Sequence, residues 1–220
     1  MSEFIAPPCA EQISILYQDE HLLLINKPSG LLSLSGKNPQ NFDSVHYRLV
    51  QQFPNCTLVH RLDFGTSGIM LVALNKHING LLTKQFQSGL VEKTYTAILQ
   101  HELVESTGDI TLPIAKAEFP LMQVCHHTGK PSHSRYQLVE VVKDADGNLS
   151  SRVIFTPITG RTHQLRLHSQ QIGHPILGCD LYSMGESAKL APRLLLHATT
   201  LTFTHPISAE KIHWQCECPF

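Results

Sequence analysis

The stretch His60-Arg61-Leu62-Asp63-Phe64-Gly65-Thr66-Ser67-Gly68 sets a carboxylate between two apolar runs, "TLV" before it and "IMLVAL" after it. An acid on a connection between two core strands can be aimed, because the strands fix the backbone and the loop leaves the side chain accessible. Asp63 therefore suits the part of a reactive carboxylate held on a shaped loop. It equally suits an Asx-type turn in which the carboxylate only accepts the amides of Thr66 or Ser67. Gly65 and Gly68 permit backbone conformations closed to other residues, which either arrangement can use.

Two later features supply groups that a working carboxylate needs. In "GRTHQLRLH", Arg161 follows Gly160 at the expected start of a helix. Helical spacing puts Arg161, Leu165, His168 and Ile172 on one face and Thr162, Arg166 and Ser169 on another. An arginine on a partly apolar face is expected to be partly buried, and a desolvated guanidinium calls for an acid partner. A snorkelling side chain or an ordinary structural ion pair is the alternative. Tyr95, in "EKTYTAILQ" with Lys93 one alternation away, is by default a packing residue of a strand. Beside a carboxylate–arginine pair, its phenol offers a ring for a base to stack on and a group that takes or gives a proton.

Elements must position these groups. Strands are predicted at "ISILYQD", "LLLINKP", "IMLVALN", "KTYTAILQ", "SRYQLVEVV", "SRVIFTPI", "RLLLHATTLTFTHP" and "KIHWQC". Helices are predicted at "DSVHYRLVQQF" with Asp43 or Ser44 as N-cap, at "KHINGLLTKQFQS", and at "GRTHQLRLHSQQIG". Strands and helices do not alternate regularly, so the fold class is α+β, a mixed and mostly antiparallel sheet with a few packed helices. "KDADGNLS" reads as a hairpin loop, and Glu102 to Pro120 is a candidate joint between halves.

The chain of 220 residues, 42% hydrophobic and 16% charged, can bury one large core or two modest ones. A formal net charge of -1 gives no whole-molecule attraction to nucleic acid. From Gly147 to Cys179 there is no Asp or Glu, while Arg152, Arg161, His163, Arg166, His168 and His174 fall there. This is either a local basic face or chance clustering in a sparsely charged chain. The opening residues lack the basic start and apolar stretch of a secretory leader, and no apolar run approaches the roughly 20 residues of a membrane span. Six cysteines without framework spacing fit reduced thiols in a cytoplasmic protein. Cys216 and Cys218, with His205 and His213 nearby, form only a weak zinc pattern, and no metal is expected.

In order, "ILYQDEHLLLINKPSGLLS", "HRLDFGTSGIMLVA", "EKTYTA", "TGKPSHSRY", "PITGRTHQLRLH", "GHPILG" and "APRLLLHATTLTFTHP" resemble the RluA family of RNA pseudouridine synthases. The likeness covers the chain from about Ile13 onward, and the pairing of "HRLD-x-x-TSG" with "TGR-T-HQLR-x-H" is specific. It implies the pseudouridine synthase fold with a central RNA-binding cleft, a lead-in at 1–12 and a catalytic domain at 13–220. The lead-in leaves no room for the S4-type domain of longer relatives; the compact length resembles the family's short member.

The implied activity is isomerisation of uridine to pseudouridine in structured RNA, in a large-subunit ribosomal RNA loop, the first position of the tRNA anticodon loop, or both. The target nucleotide must leave its stack. By resemblance Asp63 is the nucleophile, Arg161 the cation paired with it, and Tyr95 the residue that stacks on uracil and accepts the C5 proton. Arg61 fills the space the flipped base leaves, and His60 and Arg166 contact substrate. No cofactor or metal is implied, and a monomer is the default. The chain departs from many relatives at Cys179, where they carry Asp after Gly178, and at Phe64 and Gly65. Two rivals are a non-catalytic RNA clamp and a hydrolase pairing Asp63 with Asp19 or Asp180.

Overall fold

The computed structural model describes residues 4–144, 146–184 and 187–220. The chain opens with β1 (Ser14–Gln18), β2 (Leu22–Lys27), α1 (Val45–Val50), β3 (Thr57–Leu58), β4 (Ser67–Ala73) and α2 (Lys76–Gln87). It continues with β5 (Glu92–Gln100), β6 (Thr107–Thr111), β7 (Ile114–Lys116), β8 (Met122–Val124), β9 (His133–Lys143) and β10 (Leu149–Pro157). It closes with α3 (Gln164–Gln171), β11 (Leu196–Thr204) and β12 (Lys211–Gln215). By internal contacts it divides into two units, Met1–Glu92 with Ala198–Pro219, and Lys93–His197 with Phe220. The division does not fall between Glu102 and Pro120, where β6 and β7 lie.

In the first unit the strand order is β1-β2-β4-β11, with β3 also on β4 and β12 on β11. The pairs β1·β2, β2·β4, β3·β4 and β11·β12 are antiparallel. Leu22, Leu24, Ile69, Leu71 and Ala73 form a core with Ile78 and Leu82 of α2 and with Leu201 and Phe203 of β11. Each such large aliphatic side chain contributes about 1.5–3 kcal/mol by leaving water. The β2·β4 register runs from Leu22↔Ala73 to Lys27↔Gly68. It therefore brings the chain after Lys27 alongside the chain before Gly68. Gly68 has φ +111°, and a Cβ there would lie 2.3 Å from the carbonyl oxygen of Ala198, so backbone freedom and close approach both demand glycine.

Helix caps agree with the sequence. The side chain of Ser44 accepts the Tyr47 amide at the start of α1, and that of Asn75 accepts the Ile78 amide at the start of α2.

The second unit orders its strands β5-β10-β9-β6, with β5·β10, β10·β9 and β9·β6 antiparallel and β7·β8 a separate antiparallel pair. Its core includes Ala97, Leu99, Val153, Phe155, Leu165, Leu167, Ile176 and Leu194. The Asp144 carboxylate accepts the amides of Asp146 and Asn148 in the expected hairpin loop, of which Ala145 lies outside the described residues. The α3 helix starts at Gln164, not near Gly160, and Gln164 through Ser169 are all buried. The fold is α+β, as expected.

Candidate active site

Asp63 lies, half-buried, on the connection from β3 to β4. The strand before it is shorter than the buried run expected, so its neighbours are held mainly by the segment after β2. The Ser33 hydroxyl accepts the Leu62 amide at 3.2 Å and donates to the Leu62 carbonyl at 2.7 Å. The Gly30 amide donates to the Phe64 carbonyl at 2.9 Å, as does the fully buried Lys27 ammonium at 3.2 Å. The Ser29 hydroxyl donates to the Gly65 carbonyl at 2.7 Å. The peptides flanking Asp63 are thus clasped on both sides, which removes backbone freedom from the carboxylate. The Thr66 amide goes to the backbone carbonyl of Asp63, not to its carboxylate, so the Thr66 form of the Asx cap is not made.

These four holding residues, Lys27, Ser29, Gly30 and Ser33, had no role assigned from sequence. The signal was a lysine and a Pro-Ser-Gly turn closing an otherwise apolar strand, "LLLINKPSG". Phe64, unexplained at the level of sequence, packs edge-on against Phe4 with ring centroids 5.5 Å apart.

The other residues of the loop take distinct places. The His60 Nε2 accepts the Leu71 amide at 3.0 Å, and its ring stacks on Phe86 at 4.7 Å. The His60 ring thereby braces the loop against β4 and α2. Arg61 is exposed and has no ion-pair partner among the described residues.

In the second unit, Tyr95 of β5 is half-buried, lies opposite Phe155 of β10 and packs on the core of that unit. Burial lowers the pKa of its neighbour Lys93. The burial and acid partner expected for Arg161 are not found among the described residues. Arg161 lies outside α3, is exposed, and donates through Nε to the Pro131 carbonyl at 3.1 Å. The buried arginine is Arg166, only 4% exposed. Its Nη2 donates to Asp180 at 2.5 Å, its Nε points to the Cys179 sulfur at 3.4 Å, and its guanidinium lies 5.4 Å from the Tyr182 ring centre.

Asp180 and Tyr182 therefore both engage the arginine, with Cys179 buried beside it. Tyr182 also accepts the Met122 amide at 2.8 Å and meets His163 Nδ1 at 2.7 Å. His163 caps α3 in a left-handed conformation, φ 56°. The buried Gln164 carbonyl accepts the Arg161 amide and the Thr159 hydroxyl, while its amide reaches the His133 carbonyl and Ser134. That network fixes the "TGR" turn to β9.

The acid-free run does not make a broad basic face. Arg152 bonds Glu140 and the Phe220 carbonyl, Arg166 bonds Asp180, and His174 meets the Gln100 carbonyl. Burial lowers the pKa of His168. The histidines of the weak zinc pattern are engaged as well. His205 bonds Asp19 and takes turn amides, and His213 bonds Thr202.

A family model described as RNA pseudouridylate synthase matches residues 21–171. The dual-specificity RNA pseudouridine synthase RluA of Yersinia pestis is 44% identical over 208 residues, covering 94% of this chain and 99% of that protein. Its namesake from Escherichia coli strain K12 is 41% identical over 216 residues, covering 97% of each. Among solved structures, human RNA pseudouridylate synthase domain containing 1 matches with TM-score 0.80 at 30% identity, over 97% of this chain and 86% of that one. Human RNA pseudouridylate synthase domain containing 4 matches with TM-score 0.75 at 26% identity, over 94% and 88%. With matches of this extent in sequence and fold, the chain belongs to the RluA family of RNA pseudouridine synthases and isomerises uridine to pseudouridine in RNA.

Proposed function

We propose that this synthase acts on both a large-subunit ribosomal RNA loop and the first position of the tRNA anticodon loop, with Asp63 as its covalent nucleophile. The observation that carries the nucleophile is the double clasp on the peptides beside Asp63, which aims a half-buried carboxylate. Dual substrates are supported by relatives at 41% and 44% identity that bear the dual-specificity name over nearly their whole length.

Asp63 attacks the flipped uridine at the ribose anomeric carbon or at the pyrimidine ring. The glycosidic carbon–nitrogen bond breaks, the uracil turns, and its C5 bonds to the anomeric carbon. In the ribose route C5 displaces Asp63 as the carbon–carbon bond forms; in the ring route Asp63 leaves the ring as the C5 proton is lost. In both, the Tyr95 side chain as phenolate takes that proton and restores the C5–C6 double bond. The cationic role that resemblance assigned to Arg161 suits Arg166 better, because a desolvated guanidinium held in place acts more strongly than a hydrated one. Arg161 and Arg61, both exposed, serve RNA contact, with Arg61 entering the space the base leaves. The enzyme works in the cytoplasm as a monomer, with residues 13–220 as its catalytic domain, and needs no metal or cofactor, since the carboxylate itself forms the covalent bond.

The hydrolase alternative is disfavoured by its second acids. Asp19 accepts the amides of His21 and Leu22, the Tyr17 hydroxyl and His205, and Asp180 holds Arg166. A non-catalytic clamp has no use for an aimed carboxylate. Pseudouridine mapping in cells with and without the gene tests the substrates. Loss of one site in each RNA class is expected; loss in a single class contradicts dual specificity, and no loss contradicts both targets.

A further inference from the structure

We propose that residues 4–11 are a strap that positions the Asp63 loop, with Phe4 acting through Phe64 as a positioning residue for the reaction. This rests on the reading of Asp63 as nucleophile.

The strap is tied down at several points. The Asn41 side chain takes the Ala6 amide and gives to the Phe4 carbonyl, each at 2.7 Å. Arg48 donates to the Cys9 and Glu11 carbonyls at 2.6 Å each while its fork is held by Asp43. The Cys9 thiol points to the Ser29 carbonyl at 3.7 Å, and Ser29 itself holds Gly65. These ties carry no catalytic group, yet they deliver one ring to one place. Phe4 meets Phe64 edge to face, with an interplanar angle of 77°.

Phe64 follows Asp63 directly, so holding residue 64 holds one end of the peptide that joins them. Its carbonyl is fixed by Gly30 and Lys27, and a Cβ on Gly30 would lie 4.0 Å from the Phe64 ring tip. Phe4 closes another side of that ring. With carbonyl and ring both restrained, residue 64 is held in place, which limits how far the adjoining Asp63 backbone can shift. Phe4 remains 48% exposed, so trimming it opens no cavity in the core.

The test is steady-state kinetics on an RNA substrate with full-length Phe4→Ala, Phe4→Tyr, Phe64→Ala and the Phe4→Ala/Phe64→Ala double variant. Loss of an aromatic pair predicts a fall in kcat of about threefold to tenfold for Phe4→Ala, with KM unchanged and the thermal midpoint lowered by no more than a few degrees. Phe4→Tyr restores the rate, and the double variant is no slower than Phe64→Ala alone. Wild-type kcat in Phe4→Ala overturns the strap, as does a change in KM only, or full additivity in the double variant. Asp63→Asn run alongside separates the layers. If it is inactive and Phe4→Ala is normal, the strap alone fails. If Asp63→Asn turns over normally, the nucleophile reading fails and the strap falls with it.

Discussion

A carboxylate in water rotates freely and is a poor nucleophile; the peptides beside Asp63 are held by Ser33 on one side and by Lys27, Ser29 and Gly30 on the other, which is the basis for proposing it as the nucleophile. The placement of Asp63 was legible in the sequence, because an acid between two apolar runs with glycine after it marks a strand-to-strand loop. Its holders were not, since hydrogen bonds from a turn to distant carbonyls leave no periodic trace. The two arginines carry the sharpest prediction at this scale. Arg166→Ala should cut kcat by about 100-fold or more, the loss expected when a buried charge that serves a transition state is removed. Arg161→Ala should keep kcat, raise KM a few fold and lower the salt slope of RNA binding by about one. Single-turnover and filter-binding measurements on both variants check it, and the reverse pattern would return the cationic role to Arg161.

Among the elements, α3 explains why Arg166 and not Arg161 is the buried arginine. Face reasoning presumes one buried stripe, whereas Gln164 through Ser169 are all buried and the helix starts three residues beyond Arg161. No periodicity could have chosen between the arginines. His168 ties α3 to its surroundings, with Nδ1 at Ser134, Nε2 at Ser132 and the Leu112 carbonyl near Nε2. Burial lowers its pKa below the ordinary 6.5, so the unfolded chain binds its proton more readily than the folded one. Its stability contribution is therefore complete above pH 6.5 and is lost as pH falls from there toward the depressed folded value. Urea unfolding across that window should weaken with acid, and His168→Gln should flatten the dependence; an unchanged slope would contradict this.

Two glycines make an element-scale contrast of opposite sign. Gly68→Ala places a Cβ against the Ala198 backbone at positive φ and should destabilise by about 3 kcal/mol or more. Gly80→Ala, within α2 and with nothing near its added carbon, should stabilise by roughly 0.5–1 kcal/mol. Thermal melts of the two variants read both signs.

Across the whole molecule, a net charge of -1 means that RNA is held by placed cations and not by a general field. The α+β class was legible from strands that fail to alternate with helices. The short strands β6, β7 and β8 were not, because "TGDIT", "IAK" and "MQV" are too brief for alternation to register. Because two of the three arginines of the acid-free run are paired with acids, that run offers few phosphate contacts. The expected result is a shallow salt dependence of KM, with kcat at saturating RNA insensitive to salt. A steep slope would reveal a basic surface that these partners do not suggest.

The central claim is that Asp63 forms the covalent bond that turns uridine into pseudouridine. Tritium release from RNA carrying C5-labelled uridine measures it directly, with the mass of the treated RNA recorded in parallel. Wild-type enzyme should release tritium without changing RNA mass beyond the label, and Asp63→Asn should bind the RNA and release none. Release by Asp63→Asn within about tenfold of wild type, little more than 1 kcal/mol in the barrier, would contradict the account.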